Sequence, residues 1–378
     1  RNSPTMLNVV AWDRCILQDC RIESIGKTPL LAGADGNGIS TPDFGHGRMD
    51  PTAATSLLET HLRFPMNAED VMRGLVHPEM TTLEYADCLA QRLGGYGDCG
   101  DELPAETNPW PAAFAEVFDA DGTLDPGDAE RLVTFANITR ALLAYEHTLT
   151  FIDTPWLEYI NGYAGALSES AKRGALLFYR PVREGGANCV KCHSGDLMSD
   201  EKFHNVGFAQ VGPGTGSGPL ADHDFGRANI TGRREDRYAF RTPTLLNTWV
   251  TGPWGHNGAY ATLEDTIRAH VDPVAALERY DFTKIPFTPS PLNALFNSQE
   301  VLDELQRVPG YEFVDLSDDQ IADLVEFMKA LTDPCVESRE CLAPWDPFNA
   351  GIADENMGLL HPREPGGCSL VEIDPACD

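Results

Sequence analysis

The sequence is poor in basic residues. Its 378 residues include 28 Lys and Arg against 58 Asp and Glu, which gives a formal net charge of −30 at pH 7. This balance argues against nucleic acid or an anionic membrane as the partner, because both are polyanions. Two interpretations of the charge remain open: the acidic surface attracts a basic protein, or it only maintains solubility.

Long apolar runs are also missing from the sequence. Crossing a bilayer takes roughly 20 consecutive apolar residues, so we expect no membrane span. The chain begins with RNSPTMLN, without an initiator methionine or a signal peptide, which predicts a processed or truncated N-terminus. Hydrophobic residues make up 42% of the sequence, enough for ordinary packed cores, and the length favours two domains over one.

Cysteine, by contrast, is present at 10 positions. Two of these residues belong to the motif CVKCH, and the others follow one another in close pairs along the chain. Local disulfides in an oxidising compartment are the natural interpretation, although the sequence leaves their connectivity open. The expected pairs are Cys15 with Cys20, Cys88 with Cys99, Cys335 with Cys341, and Cys368 with Cys377.

The CVKCH motif, residues 189–193, has the attachment signature of c-type haem. Cys189 and Cys192 can each form a thioether with a haem vinyl group, and His193 is then held where it can bind the iron. Half of a zinc site or a local disulfide are the alternatives, but zinc normally requires a second Cys/His pair. The motif occurs once, so the sequence predicts one covalent haem c, which also points outside the cytosol.

Hydrophobic periodicity predicts several helices joined by long Gly- and Pro-rich loops. Ser168 or Ser170 can cap the helix that leads to the haem motif, and Ser317 with Gln320 can form a capping box at the start of the last helix. The predicted helices cover residues 53–64, 67–76, 81–93, 128–149, 168–179 and 316–333.

Many ordered motifs between residue 1 and about residue 333 resemble those of the bacterial di-haem cytochrome c peroxidase and MauG family. The resemblance implies a mainly α-helical fold of two cytochrome c-like helical domains, residues 1–163 and 164–334, followed by a disulfide-containing extension, residues 335–378. In this family the C-terminal haem transfers electrons and the N-terminal haem activates peroxide. The motifs are RNSPTMLN, RIESIGKTP, GISTPD, YEHTLTFIDTPWLEYI, AKRGALLF, CVKCHSGDLMSDEKFHNVG, DFGR, FRTPTLLN and GHNGAYATLEDTIRAH.

The resemblance also implies which residue binds the iron opposite His193. His270 matches the position of the family's distal ligand, with Met198, His204 and His256 as alternatives. His256 itself matches a histidine that the family keeps near the haem. Two histidine ligands would close the iron to peroxide and give a lower reduction potential than a His/Met pair.

Two further sites are implied by the same resemblance. Arg241 is expected to pair with a haem propionate, although a surface salt bridge is the alternative for an arginine at this position. A calcium ion is expected at Asn2, Thr251 and Pro253, since the family holds calcium with one asparagine side chain and two backbone carbonyls at the matching positions.

The sequence departs from the family pattern at three places. The family's peroxidatic haem motif lies before the RNSPT segment, so a second haem is expected upstream or not at all. Gln18 stands where the family has a tryptophan between its haems, although Trp12 could replace that ring. Val71 stands at the catalytic glutamate, which leaves Glu69 and Asp70 as weak catalytic candidates.

The sequence therefore supports two functional hypotheses. In the first, the protein is a periplasmic cytochrome c peroxidase or MauG-like oxidoreductase, and this chain carries its electron-transfer haem. Its partners would be hydrogen peroxide and a small electron-donor cytochrome or a protein substrate, and a homodimer is possible. In the second, the chain is a single-haem electron-transfer or partner-binding protein on a degenerate peroxidase scaffold.

Overall fold

The computed structural model describes residues 4–27, 37–67, 72–74, 76–100, 108–119, 122, 128–285, 288, 290–307 and 311–345. Within this part of the chain, helices predominate, as predicted. The helices are α1 (Leu57–Asn67), α2 (Thr82–Gly94), α3 (Trp110–Phe118), α4 (Ala129–Leu132), α5 (Phe135–Thr148), α6 (Pro155–Ile160), α7 (Glu169–Tyr179), α8 (Ala228–Thr231), α9 (Leu263–Val271), α10 (Pro273–Glu278), α11 (Pro291–Leu305), α12 (Asp318–Lys329) and α13 (Arg339–Leu342).

The strands are short and form two antiparallel sheets. Strands β1 (Cys15–Ile16), β2 (Ile22–Ser24) and β3 (Ile39–Ser40) form a sheet in the order β1-β2-β3. Strands β4 (Phe203–His204) and β5 (Phe240–Arg241) pair with each other. Among the described residues, no helix is both long enough and apolar enough to cross a membrane.

Helices α7 and α12 pack closely against each other. Gly174 makes this approach possible, because a Cβ atom at this position would lie 1.9 Å from the backbone oxygen of Asp323. Next to the contact, the rings of Phe178 and Phe327 meet edge to face, with their centres 5.2 Å apart. The apolar cluster around this crossing supports the segment that carries the haem motif.

The predicted starts of these two helices are confirmed. The side chain of Ser168 accepts a hydrogen bond from the Ala171 amide at the start of α7. Ser317 and Gln320 form the predicted capping box at the start of α12. Local hydrogen-bonding groups therefore fix both helix starts.

Two other helix predictions are wrong in part. The segment 128–149 is not one helix, because the Thr134 side chain accepts a hydrogen bond from the Asn137 amide and starts a new helix. The Asn137 side chain also donates to the carbonyl of Leu132, at the end of α4. In the segment 67–76, residues 72–74 and 76 form turns and bends, and α1 already ends at Asn67. The side-chain hydrogen bonds of Thr134 and Asn137 to the backbone compete with continuation of the helix.

Three of the four predicted disulfides are confirmed. Bonds join Cys15 to Cys20, Cys88 to Cys99, and Cys335 to Cys341. The predicted pair Cys368 and Cys377 lies outside the described residues. Each of the three bonds closes a short loop, as the spacing predicts.

Glu146, near the end of α5, is a buried carboxyl group that predicts a pH dependence of stability. It is 1% exposed, and neither of its carboxyl oxygens has a hydrogen-bond partner among the described residues. Burial raises the pKa of Glu146 to about 7. The folded state therefore binds a proton that the unfolded state releases above its ordinary pKa of 4.5. Stability is lost as the pH rises from that value through about 7.

The Glu146→Gln variant should remove this loss. Its stability relative to the unchanged chain should rise by about 3 kcal/mol between pH 4.5 and pH 8, as expected for a pKa shift of two to three units. Urea denaturation at several pH values measures the difference. The exposed Glu158→Gln is the matched control and should show no such trend. A pH-independent difference between the Glu146→Gln protein and the unchanged chain would contradict this account.

Candidate haem site

A cavity of about 1520 Å³ lies next to the haem motif. Its wall includes all six residues that the sequence analysis assigned to the haem: Cys189, Cys192, His193, Arg241, His256 and His270. These residues come from the haem loop, from β5, from the loop before α9 and from α9 itself. The fold therefore brings residues that are far apart in the sequence to one space.

The haem loop places its two cysteines and its histidine on one tight turn. The residues Cys189–Lys191 form a 3₁₀ turn, and the His193 amide donates to the carbonyl of Cys189 at 2.9 Å. Cys189 and Cys192 are both free thiols and half-buried. The thiols that thioether formation requires are thus available at the cavity wall.

His193 is held by the backbone of its own loop. Its Nδ1 donates to the carbonyl of Met198 at 3.1 Å, because a carbonyl oxygen can only accept. Burial and the nearby His270 lower the pKa of His193 to about 4. The ring is therefore neutral, with the lone pair on Nε2, the form in which imidazole binds iron.

His270 is held in the same way on α9. Its Nδ1 donates to the carbonyl of Thr266 one turn earlier, at 2.9 Å, and Phe208 meets the ring edge to face at 4.7 Å. The residue is exposed in this structure, and it lines the cavity. Loss of hydration among the surrounding side chains lowers the pKa of His270, so this imidazole is also neutral.

The two imidazoles fit an iron atom between them. Their ring centres lie 6.5 Å apart. Two imidazole nitrogens bound to one metal at about 2 Å each hold the ring centres roughly 6 Å apart. In both rings Nδ1 is bonded to a backbone carbonyl, which is the usual arrangement of metal-binding histidines.

Arg241 offers a partner for an anionic group in the cavity. It is 9% exposed, its guanidinium stacks on the Trp12 ring at 3.4 Å, and its Nε donates to the carbonyl of Leu17. Its Nη1 has no hydrogen-bond partner among the described residues. Burial lowers the pKa of Arg241 to about 10, which leaves it charged at pH 7. A carboxylate such as a haem propionate would satisfy this buried donor.

His256 and Met198 occupy different surroundings. The His256 ring stacks on Phe240, with the ring centres 3.7 Å apart, and lines the cavity. Met198 is buried in the cluster between α7 and α12, and its sulfur accepts from the Tyr179 hydroxyl at 3.9 Å. Met198 thus contributes its carbonyl to His193 and directs its sulfur to Tyr179.

His204 is engaged by a carboxylate. Its Nε2 lies 2.9 Å from Asp200, and this contact, with help from Cys192, raises the pKa of His204 to about 9. Cys192, Asp200 and His204 lie close enough to hold a metal, with possible ligand atoms within 4.8 Å. However, the Asp200 carboxylate already accepts from the Thr242 hydroxyl and the Lys202 amide. Asp200 and His204 are better described as an ion pair beside the haem loop.

The remaining predicted site residues are only partly described. Thr251 and Pro253 line the cavity together with Pro4 and Thr5, whereas Asn2 lies outside the described residues. Glu69, Asp70 and Val71 also lie outside them. Gln18 and Trp12 both line the cavity.

Sequence reasoning did not find the groups that orient the histidines. The carbonyls of Met198 and Thr266 are backbone atoms, which residue type does not reveal. The stacking of Arg241 on Trp12 joins residues more than two hundred positions apart, and no local sequence pattern predicts it. The helical spacing could have identified Thr266, because a helix places this residue one turn before His270.

Comparison with known proteins identifies relatives of this chain. It is 28% identical over 303 residues to the cytochrome-c peroxidase IdrP1 of Denitromonas iodatirespirans, covering 70% of this chain and 73% of that protein. It is 31% identical over 149 residues to the methylamine utilization protein MauG of Methylophilus methylotrophus, covering 39% of each chain. The chain thus spans well under half of the MauG protein.

The fold has a counterpart among solved structures. A MauG-like protein associated with microbial copper homeostasis superposes with a TM-score of 0.50 at 23% sequence identity, over 78% of this chain and 75% of that one. No family model matches the chain. The curated relatives, the ordered motifs and the helical fold together confirm that the chain resembles the bacterial di-haem cytochrome c peroxidase and MauG family.

Proposed function

We propose that this chain carries the electron-transfer haem of a cytochrome c peroxidase or MauG-like oxidoreductase. The observation that carries the proposal is the pair of neutral imidazoles, His193 and His270, which face one cavity beside the two free thiols. An iron with two histidine ligands has no open position for peroxide but exchanges single electrons readily.

Each residue of the site has a distinct part in this proposal. Cys189 and Cys192 attach the haem, and His193 and His270 bind its iron from opposite sides. Arg241 neutralises a propionate, since its buried Nη1 has no other partner among the described residues. When bound, haem c would supply a one-electron carrier.

Several wider features belong to the same proposal. Residues 1–163 and 164–334 would form the two cytochrome c-like domains. The apolar cluster around Ile22 lies mainly in the first range, and the cluster around Phe327 lies mainly in the second. Residues 335–378 would form the extension. Calcium would bind at Asn2, Thr251 and Pro253, and a second haem in the whole protein would activate hydrogen peroxide. A small cytochrome or a protein substrate would exchange electrons with the chain, in the periplasm.

Covalent haem attachment tests this proposal. The denatured chain, purified after expression with a c-type cytochrome maturation system, should retain one haem and give a pyridine haemochrome band of the two-thioether type. The native form should accept and release one electron reversibly in a spectroelectrochemical titration. Both results follow from two thioethers and a six-coordinate iron.

The controls separate attachment from ligation. Cys189→Ala with Cys192→Ala should yield a chain whose haem is extracted by acid acetone, whereas Cys88→Ala with Cys99→Ala should keep it. Extraction of the haem from the unchanged chain would contradict the attachment. Sustained peroxide turnover by the chain alone would contradict the closed iron site.

A further inference from the structure

The carboxyl groups of Glu201 and Asp13 lie close together near Arg241, with Glu201 buried and the Asp13 side chain 25% exposed and paired with Lys27. Glu201 is 1% exposed, and its carboxyl group lies within hydrogen-bond reach of that of Asp13. One oxygen of each group, Oε2 of Glu201 and Oδ1 of Asp13, has no hydrogen-bond partner among the described residues. Two ionised carboxylates offer only acceptors, so a hydrogen bond between them requires one proton.

The surroundings of the pair favour holding that proton near neutral pH. Burial, followed by the charge of Asp13, raises the pKa of Glu201 to about 7, while Arg241 opposes the shift. The proton is therefore assigned to Glu201, with the Asp13 carboxylate beside it. The charged groups around the pair are Arg14, Glu23 and Lys27 from the β1-β2 hairpin, Asp200, Lys202 and His204 from the same segment as Glu201, and Arg241 from β5.

The pair is connected to the cavity through Arg241 and Trp12. Arg241 interacts with Glu201 and lines the cavity, and Trp12, which stacks on Arg241, precedes Asp13 in the chain. In a medium of low dielectric constant, a negative charge added in the cavity acts strongly on a nearby ionised carboxyl pair. It raises the proton affinity of the pair.

We propose that Glu201 and Asp13 form a proton-binding site that takes up one proton from water when the haem in this cavity accepts one electron from a reductant. The inference rests on the proposed haem site. One electron enters the cavity and one proton enters the pair, so the net charge of the region stays constant. Reduction is therefore easier at low pH, and the midpoint potential falls as the pH rises through the range in which Glu201 titrates.

The potential of the haem-loaded chain tests the coupling. Spectroelectrochemical titrations between pH 5.5 and pH 8.5 should show a potential that falls with rising pH, by at most a tenfold change in the redox equilibrium per pH unit. Glu201→Gln should remove most of this slope, and Asp13→Asn should move it to lower pH. Glu235→Gln, an exposed carboxyl group that also lines the cavity, is the matched control and should keep the slope.

Infrared spectroscopy tests the proton itself. The chain as purified should show a protonated-carboxyl C=O band that is present at pH 6, declines towards pH 8, and is missing in the Glu201→Gln protein. A wild-type chain without this band, or a Glu201→Gln protein with the wild-type slope, would overturn the proposal. If the chain holds no covalent haem, the proposed function fails, and the infrared band still decides whether the pair holds a proton.

Discussion

The His270→Ala variant of the haem-loaded chain is expected to change from a low-spin to a high-spin ferric spectrum. Removing the imidazole opens one coordination position, and water is a weaker ligand that favours the high-spin state. Nearly all of the sample should convert, because no second imidazole faces His193 at the same 6.5 Å separation among the described ring contacts. Absorption and electron paramagnetic resonance spectra measure the change, and added imidazole should restore the low-spin form.

His256→Ala is the matched control for this experiment. Its ring lines the same cavity but stacks on Phe240, so its removal should leave the iron low-spin. An unchanged spectrum of the His270→Ala protein would mean that His256, His204 or Met198 binds the iron instead. The change in spin state is therefore expected only when the residue that binds the iron opposite His193 is removed.

A second large effect is expected from Gly174→Ala. In an exposed helix this change stabilises by about 1 kcal/mol, since alanine has the higher helix propensity. At this position the added Cβ would lie 1.9 Å from the Asp323 oxygen and 2.9 Å from Cβ of Phe327, so α12 has to move. We expect the free energy of unfolding to fall by about 3 kcal/mol, in the upper range for overpacked sites.

Urea denaturation measures the loss at Gly174. Leu176→Ala in the same helix is the control, because Leu176 is 57% exposed and should change the stability by less than about 0.5 kcal/mol. A Gly174→Ala protein as stable as the unchanged chain would show that α7 and α12 can separate slightly without loss. A fall in the free energy of unfolding indicates close helix packing at Gly174, whereas a rise indicates that helix propensity dominates.

Features set by neighbouring residues were predictable from the sequence. The start of α7 at Ser168, the capping box of α12 and the local disulfides depend on residues within a few positions of one another. The haem loop was predictable for the same reason, because haem attachment needs only residues 189–193. Local signals also mark the start of α11, since Ser290 caps this helix and Pro291 begins it.

Features set by distant residues were not predictable without the family resemblance. The position of His270 opposite His193 depends on how α9 packs against the haem loop, which no local pattern encodes. The carboxyl pair of Glu201 and Asp13 combines two surface-like residue types from distant segments. The burial of Glu201 follows from tertiary packing, which overrides the usual preference of carboxyl groups for the surface.

The way in which the cavity wall is assembled has a consequence for the order of folding. The bond between His193 and the Met198 carbonyl spans 5 residues, whereas the bond from Arg241 to the Leu17 carbonyl spans 224. Closing a longer loop costs more chain entropy, so contacts between distant residues form late unless other contacts bring them together first. We therefore expect the loop with the two thiols to fold while the opposite wall is still open. Haem attachment can then precede closure of the cavity, and the N-terminal segment would complete the wall around a haem that is already in place.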